Sequence, residues 1–305
     1  MPSTKTEPRD CPKCSGKKYN LSNREGKLCA QLCSCFLCQE CDGEGRTFRQ
    51  DDKGMAFLAD CSFCFTFRKR LRLLNDSGIP GKFSNSTLEI YQPIGLQNRK
   101  ALSRAKDFLD DFHITPKQPC RGLLFMGGPG LGKTHLVVSI LKQLILEDEV
   151  NGKFVDFFQL LSDIRHGYSH DQSEMSLIEP YLKSRVLVID ELAKGRNNEW
   201  EQTILDQFIS SRYNAADKIT LFTTNYSDQS GAPTDTNGRV TSFQKQSLEE
   251  KVGDRIFSRL AQMCDFVKME GEDYRTKIKP PPRASRKTDC CHWFDLNYEL
   301  SSPLS

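Results

Sequence analysis

The sequence GGPGLGKT at residues 127–134 leaves few folds open, because an apolar strand pattern precedes it and an apolar helix pattern follows it. This arrangement predicts a phosphate-binding loop of the G-x-x-x-x-G-K-[ST] type. Its glycines let backbone N–H groups converge on phosphate oxygens, and the N-terminus of the following helix adds partial positive charge. The predicted nucleotide-binding residues are Gly127, Gly128, Pro129, Gly130, Leu131, Gly132, Lys133, Thr134 and His135.

Charged and hydroxyl side chains in two segments predict the rest of a nucleotide-hydrolysis site. In the loop, we expect Lys133 to bridge the β- and γ-phosphates of ATP and Thr134 to bind Mg²⁺. The apolar strand pattern at residues 184–191 ends in Asp190 and Glu191. We expect Asp190 to hold Mg²⁺ and Glu191 to act as general base on the attacking water, although an acidic cap after a strand is the alternative. The predicted cofactors of the site are therefore ATP and Mg²⁺.

Three further side chains are candidates for the same site. A strand pattern at residues 219–227 places Asn225 where an amide would orient the water or sense the γ-phosphate. Residues 247–264 begin with the capping-box pattern Ser-x-x-Glu and predict a helix. Arg255 and Arg259 lie four residues apart, hence on one face of that helix. This placement suits an arginine finger that enters a neighbouring subunit's site, and ion pairing within the chain is an equally open alternative.

Cysteines are concentrated near the start of the chain, where nine of the 13 lie between Cys11 and Cys64. They form two repeats, residues 11–35 and 38–64, and each repeat opens with C-x-x-C and closes with a second cysteine pair. Two sulfurs from a C-x-x-C turn and two from a returning hairpin suit a tetrahedral Zn²⁺ site with no open position, which is structural rather than catalytic. The predicted ligands of two zinc ions are Cys11, Cys14, Cys33, Cys35, Cys38, Cys41, Cys61 and Cys64.

The spacing of these cysteines leaves their pairing open. The two cysteine pairs that bind one zinc ion can come either from the same repeat or from different repeats. Cys29 either replaces Cys33 or Cys35 as a ligand or is a free thiol. Reduced thiols without a metal are the alternative to both arrangements. The string CQECDGEG at residues 38–45 resembles locally the zinc knuckles of DnaJ-type chaperones.

Charge and hydropathy exclude two classes of protein. The 43 basic and 40 acidic side chains give a net charge of +3, which excludes a protein held to nucleic acid by charge alone. A mean hydropathy of −0.54 and the lack of a long apolar run in the sequence predict no transmembrane helix. The first ten residues are polar, which predicts no secretory signal. We therefore expect a cytoplasmic protein with no membrane partner.

Several motifs together make the chain resemble the AAA+ ATPases of the DnaC/IstB type, which are replicative helicase loaders and transposition helper ATPases. The resemblance covers about residues 70–278 and is carried by SGIPGKFSNSTLE, GGPGLGKTHL, VLVIDELAKGR, RYN followed by LFTTNYS, GDRIFSRL and EDYR. It implies an α/β fold with a five-stranded parallel sheet between helices, active at subunit interfaces. It further implies that Asn225 is sensor 1 and that Arg259 is the arginine finger, with Arg255 as its neighbour.

Four parts are expected along the chain. They are a tandem zinc-binding domain at residues 1–66, a basic helix and linker at 67–118, an AAA+ ATPase domain at 119–278, and a flexible, basic, proline-rich tail at 279–305. Only 30 residues follow Arg275, which leaves no room for a full helical lid domain or for an arginine carried on one. Within the tail, Cys290, Cys291 and His292 are expected to bind no metal, because adjacent cysteines make poor ligands for one ion.

The resemblance and the motifs predict an ATP-hydrolysing, helicase-loader-like protein of DNA replication. Its expected partners are a replicative hexameric helicase, single-stranded DNA and further copies of itself in an ATP-dependent oligomer. A transposition helper ATPase with a transposase as partner is one alternative. The other is a zinc-domain adaptor, chaperone-like in character, that ATP regulates. The polar stretch at residues 227–246 is expected to be either a disordered insertion or a DNA-facing element, and the basic tail is a further candidate for contact with DNA.

Overall fold

A computed structural model describes residues 11–114, 120–196, 198–215, 217–227 and 247–277 of the 305-residue chain. The polar stretch after Ser227, the tail beyond residue 277, and with it Cys290, Cys291 and His292, lie outside the described residues. The predictions made for those segments therefore stay predictions.

Strands and helices alternate in the larger part of the molecule. The strands are β1 (Tyr19–Arg24), β2 (Lys27–Leu32), β3 (Arg46–Gln50), β4 (Ala56–Asp60), β5 (Gly122–Met126), β6 (Gly152–Asp156), β7 (Val186–Asp190), β8 (Ile219–Thr224) and β9 (Cys264–Lys268). The helices are α1 (Ser62–Asn75), α2 (Leu96–Ile114), α3 (Lys133–Asp148), α4 (Phe157–Tyr168), α5 (Glu174–Lys183), α6 (Glu199–Tyr213), α7 (Leu248–Val252), α8 (Asp254–Met263) and α9 (Tyr274–Lys277).

A five-stranded parallel sheet in the order β6-β7-β8-β5-β9 forms the centre. Successive side chains of a strand point to opposite faces, so a strand covered on both faces is apolar throughout. In β5, Leu123 and Phe125 join the core under α2 and α3, while Leu124 and Met126 join the core under α4 to α8. The predicted α/β fold with its five-stranded parallel sheet is confirmed.

The helix predicted over residues 247–264 is two helices. The capping box is present: the Ser247 hydroxyl accepts from the N–H of Glu250, whose carboxylate accepts from the N–H of Ser247. Gly253 then adopts a φ of +81°, which ends α7 and starts α8. After β9, the described chain continues only into the four-residue helix α9. Among the described residues no helical lid follows the sheet, and the prediction that none exists also concerns residues 278–305, which lie outside them.

Each cysteine repeat forms an antiparallel hairpin, β1–β2 in the first and β3–β4 in the second. The first hairpin shares the buried core of the sheet, to which it contributes Leu28 and Ala30. The Asn75 side chain at the end of α1 reinforces this contact, because it accepts from the N–H of Ala30 and donates to its carbonyl. Since α1 begins at Ser62, the division expected between residues 66 and 67 falls inside one continuous helix.

The helices of the described residues show no apolar run of membrane-spanning length. Within the described part of the chain, none combines the length and the hydropathy that a bilayer crossing demands.

Candidate nucleotide site and metal centres

The phosphate loop joins the end of β5 to the start of α3 and depends on its glycines. Gly127 has a φ of +144°, and a Cβ there would lie 2.1 Å from the carbonyl oxygen of Met269. Gly130 has a φ of +73°, and its Cβ would collide with the carboxylate of Asp273. Both positions need glycine for conformation as well as for space. The predicted strand–loop–helix arrangement is thus present.

Lys133 is the buried cation of the loop, with 7% of its surface exposed. Its Nζ donates to the carbonyl oxygens of Gly127, at 2.8 Å, and Gly128, at 2.6 Å. Burial lowers the pKa of the Lys133 ammonium to about 8. The Lys133 side chain is therefore folded onto its own loop. The charged oxygens of a bound phosphate would be stronger hydrogen-bond acceptors for its ammonium group than these two neutral carbonyl oxygens.

Asp190 lies at the end of β7 and contacts the first turn of α3 and the neighbouring strand β8. Its Oδ1 accepts hydrogen bonds from the Thr134 hydroxyl at 2.8 Å and the Thr223 hydroxyl at 2.5 Å. Burial raises the pKa of the Asp190 carboxyl, although the two hydroxyl groups oppose the shift. Clustered carboxylate and hydroxyl oxygens are the hard ligands that Mg²⁺ takes in nucleotide sites, so the residues present fit this ion. Thr223, one residue before the end of β8, was not predicted from the sequence, because its contact with Asp190 depends on β8 lying beside β7.

Glu191 follows Asp190 in the sequence and has a backbone conformation that residues other than glycine rarely adopt. Its φ is +54°, in the left-handed region, and its N–H donates to the Thr223 hydroxyl at 3.0 Å. Such a conformation costs energy and is concentrated at functional sites. The Glu191 carboxylate forms an ion pair with Lys194. Asn225, the predicted sensor, follows the last residue of β8 and is half-buried.

The two arginines of α8 are paired within the chain. Arg259 donates to Asp206 of α6 at 2.8 Å and to the Ser210 hydroxyl at 2.6 Å. Arg255 lies 3.5 Å from the same carboxylate, and 72% of its side chain is exposed. A single chain thus shows the ion-pairing alternative, while the exposure of Arg255 leaves it accessible to another copy. The role of both residues as arginine fingers stays a prediction.

A short segment after β9 lies against the phosphate loop, although no role for it was predicted from the sequence. The N–H of Tyr274 donates to the Gly130 carbonyl at 3.1 Å. Arg275 forms an ion pair with Asp273 at 2.8 Å, and its hydrogen bonds lower the pKa of the Asp273 carboxyl. The signal was the EDYR string, which the resemblance used as a marker only.

The eight predicted zinc ligands form two groups of four, each within one repeat. The grouping across the repeats is thereby excluded for this structure. Sulfur pairs within the groups are separated by 3.4–3.8 Å. A tetrahedron with metal–sulfur bonds of 2.3 Å has edges of about 3.8 Å, so both groups fit one Zn²⁺. Cys29 belongs to neither group.

N–H donors favour the thiolate form at some of the sulfurs, although a neighbouring thiol raises the pKa of Cys35, and burial raises the pKa of Cys38 and Cys64. The backbone N–H of Cys35 lowers the pKa of the Cys33 thiol to about 6. In the second group, the N–H of Gly45 donates to the Cys41 sulfur at 3.1 Å, and Nε of Arg68 donates to the Cys64 sulfur at 3.3 Å. Donors of this kind orient metal ligands and stabilise their charge.

Comparisons with known proteins agree with this geometry. Residues 117–281, more than half of the chain, match the family described as IstB-like ATP binding protein. The uncharacterized protein YdaV of Escherichia coli strain K12 is 25% identical over 211 residues, which are 69% of this chain and 76% of that protein. The replicative helicase loader DnaC of the same strain is 24% identical over 212 residues, 69% of this chain and 77% of that protein. A crystal structure of the DnaC helicase loader, 28% identical, superposes with a TM-score of 0.51 and covers 62% of this chain and 99% of that one.

Proposed function

Because this chain belongs to the family of IstB-like ATP binding proteins, we propose that it is an ATP-hydrolysing, helicase-loader-like protein of DNA replication. In this proposal the ATP state controls binding to a replicative hexameric helicase and to single-stranded DNA. The similarity to the replicative helicase loader carries the proposal, since it spans 77% of that protein. The phosphate loop and the carboxylates Asp190 and Glu191 at the end of β7 support the proposal, because ATP hydrolysis requires groups of these kinds.

The proposed mechanism assigns one task to each side chain. The loop amides and Lys133 bind the phosphates, for which Lys133 leaves its two carbonyl partners. Thr134 and Asp190 would hold Mg²⁺, which when bound neutralises charge on the β- and γ-phosphates. Glu191 accepts a proton from the attacking water, and Asn225 orients that water. The Glu191–Lys194 pair must open first, which costs little because exposed ion pairs contribute only about 0–1 kcal/mol.

The second cysteine hairpin supports a protein partner rather than a nucleic acid. Its two strands are largely exposed on both faces, and residues 37–63 expose several large apolar side chains: Leu37, Phe48, Met55, Phe57, Leu58 and Phe63. Residues 38–64 carry six acidic and three basic side chains, a net charge of −3. Four thiolates around one Zn²⁺ add −2, so the hairpin has a net charge of about −5 and repels phosphates. We therefore propose it as the surface that contacts the helicase.

The basic helix α1 gives little support to a DNA contact. Arg68 donates to a cysteine sulfur. Lys69 and Arg70 both pair with Glu149, which follows α3. These three cations are thus already engaged. We propose instead that the basic sequence at residues 275–287, most of it outside the described residues, contacts single-stranded DNA.

The proposal includes ATP-dependent self-association, in which Arg255 and Arg259 of one copy reach the site of the next. On assembly, the two arginines would leave Asp206 and bind the γ-phosphate in the neighbouring copy. This change of partner would link assembly to nucleotide binding. Hydrolysis per molecule should then rise with protein concentration, and a constant rate would contradict this part of the proposal.

Affinity capture from the native cell tests the function. A tagged Glu191→Gln protein with ATP should retain the replicative helicase, because the ATP-bound state persists without the general base. The Lys133→Ala protein, which lacks the cation for the phosphates, is the matched control and should retain none. Capture of a transposase, or of mixed client proteins without the helicase, would overturn the loader assignment in favour of one of the two alternatives.

ATP affinity should depend on pH through Lys133. The bound phosphates favour the charged ammonium, whereas the free protein loses this proton as pH rises through about 8. Above that pH, binding must take up a proton, so affinity falls by up to about tenfold per pH unit; below it, Lys133 adds no dependence. Calorimetric titrations between about pH 7 and pH 9 measure both affinity and proton uptake. An affinity that stays constant across this range would contradict the assignment.

A further inference from the structure

A small cavity lies beside the phosphate loop and has no part in the mechanism above. Its volume is about 130 Å³, and Gly130, Leu131 and Gly132 of the loop form one wall. The first turn of α2 and the segment after β9 form other walls. Whole-ligand pockets measure about 300–1,000 Å³, so this cavity suits one ring system rather than a whole nucleotide. Because it shares the loop, a ring placed there could belong to a molecule whose phosphates the loop holds.

Two aromatic rings give the cavity rigid walls. Tyr91 lies so close to the loop that a Cβ on Gly132 would be 2.5 Å from its ring, and its hydroxyl donates to the Leu131 carbonyl at 2.8 Å. The His135 ring lies 5.5 Å from the Tyr91 ring and is held by a 2.8 Å hydrogen bond with the Thr87 carbonyl. Fixed aromatic surfaces suit a flat heteroaromatic ligand.

Asn98 contributes a buried polar group to the lining of the cavity. The residue is 4% exposed, and its Nδ2 donates to the Ile94 carbonyl at 2.8 Å. This bond fixes the amide orientation, so Oδ1 is the acceptor that remains. Among the described residues, Oδ1 is buried without any hydrogen-bond partner. A buried acceptor left unpaired is costly and rare, which calls for a donor that arrives with a ligand.

We propose that this cavity takes the adenine ring of ATP and that Asn98 selects adenine by accepting a hydrogen bond from its 6-amino group. The inference rests on the proposed ATP site and adds the residue that reads the base. Guanine carries a carbonyl oxygen at the same ring position, so two acceptors would face each other and guanine is disfavoured. A site built around one buried acceptor rejects a ligand that leaves the acceptor unpaired.

Calorimetry on the full chain with three triphosphates tests the inference. The probes are ATP, GTP and purine riboside 5′-triphosphate, which is ATP without the 6-amino group. We expect the unaltered protein to bind ATP about tenfold more tightly than the purine riboside compound, the worth of one hydrogen bond, and GTP more weakly still. In Asn98→Leu, the ratio between ATP and the purine riboside compound should fall to about one. The exposed Asn85, replaced by leucine, is the matched control and should leave the ratio unchanged.

The affinity ratio of the unaltered protein is decisive even where the Asn98 variant fails to fold. Equal binding of ATP and the purine riboside compound would overturn the base-reading role while leaving the ATP site intact. Persistence of the full preference in a folded Asn98→Leu protein would overturn it as well. A protein that binds the phosphates of none of the three compounds would instead contradict the proposed function.

Discussion

The Glu191→Gln protein should bind ATP with unchanged affinity and hydrolyse it about a hundred- to ten-thousand-fold more slowly, the usual contribution of a general base. Glutamine keeps the size of the side chain and the left-handed backbone but cannot take a proton from water. The hydroxyl cluster around Asp190 does not involve the Glu191 carboxylate, so the Mg²⁺ ligands stay in place. Single-turnover hydrolysis and equilibrium ATP binding, measured on the same preparation, separate the two effects.

Glu179→Gln is the matched control for this prediction. Glu179 is an exposed carboxylate of α5 that pairs with Lys183 at 2.8 Å. Its replacement should leave both hydrolysis and binding within about twofold of the unaltered protein, since exposed pairs contribute little. A Glu191→Gln protein that hydrolyses ATP at the normal rate would show that another group takes the proton.

Loss of the second metal centre should unfold the second hairpin while leaving the ATP site intact. In Cys61→Ser, the zinc content should fall from two ions to one per chain. A two-stranded hairpin is marginal in water on its own, and metal binding in small zinc modules supplies about 10–16 kcal/mol of apparent free energy. The buried cluster of the second hairpin consists of Cys38, Cys41, Cys61 and Cys64, and the partly buried Phe36 packs against it. A Zn²⁺ bound by these cysteines would therefore be the main source of stability there.

Zinc content after denaturation, limited proteolysis within residues 38–64 and ATP binding together check this outcome. Cys29→Ser is the control, because Cys29 lies outside both sulfur groups and its loss should leave two ions bound. Retention of two zinc ions by Cys61→Ser would contradict the ligand assignment. Zinc loss from Cys29→Ser would restore Cys29 as a ligand.

Local spacing explains what the sequence could predict of the nucleotide site. The loop, its lysine and the strand-end carboxylates each lie in one short segment whose flanks identify strand and helix. Thr223, Tyr91 and Asn98 could not be found this way, because they reach the site from separate segments that only the folded sheet brings together. Thr223, for instance, matters because β8 lies beside β7, which no local pattern encodes.

The arginines and cysteines show where spacing leaves alternatives. Two arginines four residues apart share a helix face whatever they contact, and only the fold shows Asp206 opposite them. The cysteine repeats allowed ligand pairs within or across repeats, and the two hairpins decide for the former. The single helix predicted before β9 was wrong, because Gly253 adopts a backbone that α-helices exclude.

The two cysteine repeats look like copies, yet they are unequal as parts. In the first repeat, Leu28 and Ala30 pack in the core of the sheet together with Leu71 and Leu74 of α1. A chain that ended after α1 would therefore expose these side chains to water. The second keeps its buried atoms around its own sulfurs. A graft between related proteins could therefore exchange residues 38–60 while α1 keeps Cys64 and its own contacts with the sheet, whereas the first repeat can be exchanged only together with the face of the sheet that it covers. Substitutions in the second repeat can therefore create a surface for a new partner without changing the contacts of the first repeat with the sheet.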